Sequence, residues 1–334
     1  MKSKRFLKDY LRSLILVAVI VIASLVFYFI NPGFLRMSNI ANIFSGYAVY
    51  GIMAVGMMMV ICTGNIDVSV GAQLAVVSMV VASMAKNGTI NNAFMAFVVC
   101  IACGLVLGLA NGALVAFLKL PAIIVTLGTL NIMRGTMLLV YGSSWVNGLP
   151  AWFTAIARTM PLAGIGLRFK MTVFVWLFIA VLSYLLMYHT VLGRKVLAVG
   201  ANPDGASRIG FRPAASYIFS FAVMGVTSGI GALFYTANVG MAQPVAGNGY
   251  EMTLIAAVVI GGTSFSGGKI SVLGTFLGVL LLSIVESGMV ICKVPVYWQE
   301  LVKGAVIIIA ILSAAMEGLG GKGAFKRKLK GVGA

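Results

Sequence analysis

Residues 14–30 read LILVAVIVIASLVFYFI, an unbroken apolar run behind a twelve-residue start that holds five basic side chains. A helix needs about 20 mostly apolar residues to cross a bilayer. A secretory leader has a shorter apolar core and a small-residue cleavage site, whereas this run ends in bulky Phe27, Tyr28 and Phe29. The stretch reads as a retained first span with its basic end in the cytoplasm.

Outward from this run the pattern repeats. No charge falls between Arg12 and Arg36, Arg36 and Asp67, Lys86 and Lys119, or Arg212 and Glu251. Across 334 residues 61% are hydrophobic and 9% charged, with a mean hydropathy of +1.07. Too few polar residues remain to cover a water-soluble surface, since soluble domains carry roughly a quarter charged residues. Runs and breakers place spans at 13–31, 41–62, 69–85, 93–118, 121–141, 171–190, 214–236, 251–268, 271–291 and 297–316. The expected fold is all-α: a single polytopic membrane domain of about ten transmembrane helices, with basic tails at 1–12 and 317–334 and a cytoplasmic loop at 190–213.

A net charge of +17 would suit a nucleic-acid binder, but basic residues also collect in the cytoplasmic loops of membrane proteins. Ten crossings from a cytoplasmic start put sixteen Lys and Arg inside and six outside. That asymmetry accounts for the charge without nucleic acid and returns both termini to the cytoplasm. Cys100 and Cys103 form C-x-x-C without a second pair or a histidine, so Cys62, Cys100, Cys103 and Cys292 read as small apolar residues. The lone His189 ends the sixth span and reads as interfacial packing rather than a proton relay.

Gly104, Gly108 and Gly112 repeat at four-residue spacing, as do Gly274 and Gly278. Small residues one turn apart let helix backbones approach closely in lipid. Residues 60–64, VICTG, faintly echo residues 259–263, VIGGT. The loop from Gly142 to Lys170 faces outward, with Trp145 and Trp152 suited to the interface or to an external partner.

The inner loop is more specific. In 201–210, ANPDGASRIG, Asn202 can cap a first turn and Pro203 fits the position after it. Asp204 and Arg208 suit the two ends of the helix dipole, and Gly210 permits a left-handed stop. Such a helix is either a plain connector or one that sits in a groove of a cytoplasmic partner. In 65–71, NIDVSVG, Asp67 or Ser69 can cap the third span, and Asp67 can also line a polar path. Glu251 opens the eighth span. Arg134 and Glu286 are the deepest charges, roughly 18–20 Å and roughly 22 Å along their helices, and are expected to pair.

Two letter matches fail. Gly318-x-Gly320-x-x-Gly323 lacks the strand and βαβ context of a dinucleotide fingerprint, and Thr263–Ile270 lacks the first glycine and the Ser or Thr of a P-loop. No ATP site or metal cluster is visible, so any ATP that drives the chain is bound by another subunit.

Together these motifs resemble the monosaccharide (ribose-type) branch of the ATP-binding-cassette importer permeases, over about Asn39 to Ile311. Four blocks carry the resemblance: 65–71; 120–129, LPAIIVTLGT, followed by Arg134-Gly135; 200–204 with Gly210; and 256–268, AAVVIGGTSFSGG. The sequence departs at Asn65 and Val68, and at Phe211-Arg212-Pro213. The resemblance implies a fold like the vitamin B12 importer permease in the bacterial inner (cytoplasmic) membrane. It implies a second permease copy or paralogue, cytoplasmic ABC ATPase subunits that hold ATP and Mg, and a periplasmic or lipid-anchored sugar-binding protein. Asn202, Pro203, Asp204, Arg208 and Gly210 would then form the coupling helix. Asp67, Ser69, Thr126, Thr129, Asn131 and Arg134 are candidates for lining or gating the path. The expected activity is import of a monosaccharide, ribose or a related sugar, through a subunit that is not itself an enzyme. Alternatives are nucleosides, autoinducer sugars or branched-chain amino acids within the class, and an ion-coupled secondary transporter outside it.

Overall fold

The computed structural model describes the backbone of residues 2–318 and, within it, the side chains of 12–309 and 312. The basic C-terminal tail and the Gly318–Gly323 letters lie outside the described residues beyond Gly318. Among the described residues the chain is all-α, and the only β feature is an isolated bridge between Val146 and Ala242.

Every expected apolar interval contains a helix: α1 (Lys2–Ile30), α2 (Met37–Cys62), α3 (Val70–Lys86), α4 (Ala93–Leu118) and α5 (Ala122–Tyr141) come first. A short α6 (Ala151–Arg158) is followed by α7 (Met171–His189), α8 (Val191–Ala201), α9 (Pro203–Arg208) and α10 (Pro213–Val239). The chain continues through α11 (Tyr250–Ile260), α12 (Val272–Ile291) and α13 (Val296–Gly318). Seven of these (α1, α2, α4, α5, α7, α10 and α12) are long and apolar enough to cross a membrane, so the chain is a multi-pass membrane protein. The apolar α3 and α11 are shorter, at 17 and 11 residues. The eighth interval, expected as 251–268, stops at Ile260 because the glycines that follow leave the helix, with Gly262 at φ +97°.

Helices α2 and α10 form the centre. A helix that is apolar all round is a buried one, and α2 is buried without a break from Gly51 to Cys62. Outer helices instead show their apolar faces, as Ile22 of α1, Leu139 of α5 and Phe178 of α7 do.

Glycines set the crossings. A Cβ on Gly108 of α4 would lie 2.9 Å from the Gly225 Cα of α10, and one on Gly112 would lie 2.9 Å from the Ile218 Cα. Gly104 faces the backbone of Gly225 and Gly229. Gly274 and Gly278 of α12 meet the Gly261 and Ala257 backbone at the end of α11 in the same way. Gly51 seats the Trp176 indole of α7, which stacks on Phe276 of α12 at 4.5 Å between centroids. Backbones this close exchange many weak dispersion contacts, which substitute for the hydrophobic drive that lipid does not supply.

Candidate functional site

The region with chemistry in it lies where two irregular segments meet the start of short helices. Residues 63–69 separate α2 from α3, and residues 240–249 separate α10 from α11. The second segment touches the first turn of α3: a Cβ on Gly247 would lie 2.8 Å from the Gly71 carbonyl, and one on Gly71 would lie 3.0 Å from Glu251 Oε2 of α11. Only glycine permits that approach, and Gly247 also sits at φ +67°.

Asp67 is fully buried in the first of these segments. Its Oδ1 accepts from the Ser69 N–H at 2.9 Å and from the Ser69 hydroxyl at 2.6 Å, and its Oδ2 accepts from Gln73 Nε2 at 2.9 Å. Ser69 Oγ in turn accepts from Gln73 Nε2 at 3.0 Å and from Asn111 Nδ2 of α4 at 2.8 Å. Both carboxyl oxygens of the acid are thus engaged by groups that can donate to them, beside the N-terminal end of α3. Thr126 of α5 closes the cluster: its Oγ accepts from the Val68 N–H at 3.2 Å and donates to the Ala122 carbonyl at 2.9 Å. The segment is thereby laced to α3, α4 and α5. Neither Asp67 nor Ser69 caps α3 by a side-chain bond into its first turn; Asp67 holds Ser69 instead.

The six path candidates therefore divide. Asp67, Ser69 and Thr126 are fully buried and tied to one another. Asn131 and Arg134 lie toward the more open side of α5, with Asn131 exposed beside Gly128 and Gly135, which have nothing within 4 Å of a would-be Cβ; Thr129 is half-buried on a different face, its hydroxyl donating to the Thr126 carbonyl at 3.3 Å.

The expected Arg134–Glu286 pair does not form. Arg134 donates to the Pro244 carbonyl at 2.7 Å, which ties α5 to the 240–249 segment. Glu286 pairs instead with Lys303 of α13 at 3.3 Å, and Lys303 also meets Glu300 at 3.1 Å. The physical reason is that α13 packs beside α11 and brings a cation to Glu286, while α5 lies beyond α3 and α4.

At the end of the molecule where α2 stops, three chain segments converge. The Gly268 N–H donates to the Cys62 carbonyl at 2.8 Å. Gly200, near the end of α8, lies against that same carbonyl and 2.7 Å (from its would-be Cβ) from the Gly268 nitrogen. Gly267 and Gly268 need positive φ, +82° and +73°. The Thr263–Ile270 letters that mimic a P-loop thus form a turn whose Gly268 amide is engaged by α2. Cys62 and Gly64, in the first half of the faint echo, lie against Gly267 and Gly268, a few residues beyond its second half at 259–263.

Directly from this junction projects α9. The Asn202 side chain accepts from the Gly205 N–H at 2.9 Å, Pro203 opens the helix, Asp204 sits in its first turn and Arg208 in its last. Gly210 adopts φ +85°, with the Gly210 N–H bonded to Ser207 O and the Phe211 N–H bonded to Ala206 O, each at 3.0 Å. That pair of bonds is a Schellman stop. Only Ala206 is buried; the rest of the helix is open, and Ile209 beyond it is 67% exposed.

Two helices were not expected from the sequence. The first, α8, buries Val196, Val199 and Gly200 and is capped by Thr190, which accepts from the Gly193 N–H at 3.2 Å. The spacing of its apolar residues was the available signal. The second, α6, lies in the outward loop and buries Phe153 and Ala157 one turn apart.

Residues 39–311 match the family model described as branched-chain amino acid transport system / permease component. The chain is 34% identical over 299 residues to the ribose import permease protein of Escherichia coli (strain K12), covering 89% of this chain and 91% of that one. It is 33% identical over 283 residues to the autoinducer 2 import system permease protein of Yersinia pseudotuberculosis serotype O:3 (strain YPIII), covering 84% and 78%. The corresponding protein of Salmonella choleraesuis (strain SC-B67) is 34% identical over 293 residues, covering 85% and 82%. No solved structure matches the chain. With a multi-pass helical body, the expected short helix in place and a family match over most of its length, the chain belongs to this family of transport-system permease components.

Proposed function

We propose that the chain is the membrane subunit of an importer for a small sugar, a pentose or a related compound of the autoinducer type. ATP hydrolysed on separate cytoplasmic subunits drives it, and a sugar-binding protein supplies it from outside. The observation that carries this reading is α9, a helix capped at both ends that buries only Ala206 and is seated on the Cys62–Gly200–Gly268 junction. Relatives that import ribose and autoinducer 2 support the substrate class.

In this reading the ten apolar helices cross the inner membrane with α9 and both termini in the cytoplasm, in a fold like that of the vitamin B12 importer permease. Two copies, or one copy and a paralogue, face each other across α5. Asn131 lies roughly 14 Å into α5 yet is exposed on the single chain, its amide donating to the Leu127 carbonyl at 2.9 Å. An amide on a lipid face would be costly, so this face, with Arg134 nearby, belongs to the path or the subunit interface. Asp67, Ser69 and Thr126 act as the clamp behind it. Closure of the ATPases moves α9, and the junction passes that motion to α2 and α12.

The test is ATPase stimulation in the assembled complex. Replacing Asp204 or Arg208 is expected to separate ATP hydrolysis from sugar uptake while the subunits still assemble. Normal stimulation and uptake in both variants would remove α9 from the coupling role.

A further inference from the structure

A cavity of about 300 Å³ opens beside α9, between α8 and the start of α10. Its polar side is made by Lys195 and Arg212, with Ser216 in the wall, and its apolar side by Leu192, Val196 and Phe219. No acidic side chain lines it. Lys195 lies 6.0 Å from the centroid of the Phe211 ring, and Arg212 stands at the N-cap of α10. The cavity therefore combines two cations with aliphatic and aromatic carbon.

Its depth matters as much as its lining. Only Thr190 separates α7 from α8, so Leu192 to Val196 lie just past the end of an apolar helix. Phe219 is two turns into α10, another apolar helix, whereas Arg212 is outside it. The lining thus crosses from hydrocarbon depth to the polar surface. Leu192 in the lining is exposed, as are Leu182 and Leu185 of α7, the helix that leads into α8.

We propose that this cavity binds a phosphate-bearing anion, and that its occupant is an anionic phospholipid whose phosphate meets Lys195 and Arg212 while its acyl chain lies on Leu192, Val196 and Phe219. Basic pockets at the cytoplasmic ends of membrane helices are suited to such headgroups. Free phosphate shares the polar chemistry but leaves the apolar side unfilled. An acidic loop of a partner protein would also match the charge, yet Leu192 in the lining is itself exposed, as are Leu182 and Leu185 on the helix that leads into α8, which favours a lipid. A bound lipid would brace α8 against α10, the two helices between which α9 is slung. The inference uses the orientation proposed above only to name the leaflet; the permease reading stands whatever this experiment gives.

The full chain, purified in detergent, is titrated with phosphatidylglycerol, with phosphatidylcholine and, separately, with inorganic phosphate, and bound molecules are counted by native mass spectrometry. One phosphatidylglycerol per chain is expected to survive delipidation, with retention at least tenfold lower in the Lys195→Gln/Arg212→Gln double variant. The charge-conserving Lys195→Arg/Arg212→Lys variant should keep it, as should Lys86→Gln/Lys119→Gln, whose cations lie elsewhere. Equal retention in the parent and the double glutamine variant overturns the proposal, as does equal loss in Lys86→Gln/Lys119→Gln. Phosphate bound without any retained lipid overturns the lipid as occupant. Retention that vanishes once the ATPase subunits are added shows a protein occupant and overturns it as well.

Discussion

Asp67 separates two readings of this molecule, a clamp and a polar path, and its geometry says what each substitution should do. Asp67→Ala removes three hydrogen bonds, from the Ser69 N–H, the Ser69 hydroxyl and Gln73 Nε2, all in the buried interior. The Ser69 hydroxyl can turn elsewhere, and Gln73 keeps its bond to Ser69 Oγ. The Ser69 N–H is left without its acceptor. A buried unsatisfied group costs about 1–3 kcal/mol, and each of the other two bonds is worth about 0.5–1.5 kcal/mol. These overlap, so a net loss of about 3–5 kcal/mol is expected, equivalent to a drop on the order of 10 °C in thermal midpoint. Asp67→Asn keeps one carbonyl oxygen for the Ser69 N–H, and the Gln73 amide can rotate to offer its oxygen to the new NH₂ group. That variant should lose only about 1 kcal/mol and retain uptake. The assays are thermal unfolding in detergent by intrinsic fluorescence and sugar uptake in proteoliposomes with the ATPase subunits. A fully folded Asp67→Asn chain that transports nothing would refute the clamp. Uptake without any ATPase, collapsing with an uncoupler, would further favour an ion-coupled transporter that uses the carboxylate.

Glycine contacts give a paired test. Gly108→Leu forces a side chain into the Gly225 backbone 2.9 Å from its Cβ, where overpacking costs at least about 1–3 kcal/mol, so the yield of folded chain should fall. Gly128→Leu meets nothing within 4 Å; single-chain stability in detergent should stay unchanged while uptake by the assembled complex falls, if that face of α5 meets a second copy. Asn202→Ala removes the cap of α9 and about 1 kcal/mol of local helix stability; ATPase stimulation is expected to weaken while the melting midpoint of the whole chain barely moves. For the deep charges, Glu286 and Lys303 are about 30% exposed at their contact, so Glu286→Gln should cost no more than about 1 kcal/mol. Its effect should add to that of Arg134→Gln within about 0.5 kcal/mol, and coupling well above that would restore the Arg134–Glu286 pair.

How much was legible in the sequence depended on whether the signal was local. Apolar runs located the long helices because length in an apolar medium is a property of a continuous segment. The ends of α9 were legible because Asn202, Pro203 and Gly210 act within one turn of themselves. Gly104, Gly108 and Gly112 announced a close crossing but could not name α10 as its partner. The Arg134–Glu286 expectation went wrong at this point: depth along two helices was readable, while which helices stand side by side was not. α8 was hidden for another reason. Its buried face is a short set of small residues, Val196, Val199 and Gly200, too brief to stand out beside full spans. Asp67 was legible as unusual, but its role depends on Asn111 and Thr126, which lie 44 and 59 positions further along the sequence.

The placement of α9 bears on how, in the proposed coupling role, so small an element would work a large one. Six residues that bury a single alanine hold little free energy of their own, so their motion matters only through what they are fixed to. That fixture is Gly200, three residues before the helix, which lies against both the Cys62 carbonyl and the Gly268 nitrogen that donates to it. Both neighbours are backbone, which cannot swing away as a side chain would. Cys62 ends α2, whose last three turns are wholly buried at the centre of the molecule. Gly268 belongs to the turn that runs into α12, capped by Ser271, which accepts from the Gly274 N–H at 3.0 Å. A displacement of α9 by even a fraction of an ångström therefore presses on the central helix and on α12 together. On the proposed role of α9, a Gly200→Ala chain should still hold the helix but lose the register of the junction, so ATPase binding would persist while uptake fails. Loss of binding and uptake in parallel would mean that α9 is only a docking peg, and that force reaches the membrane by another route.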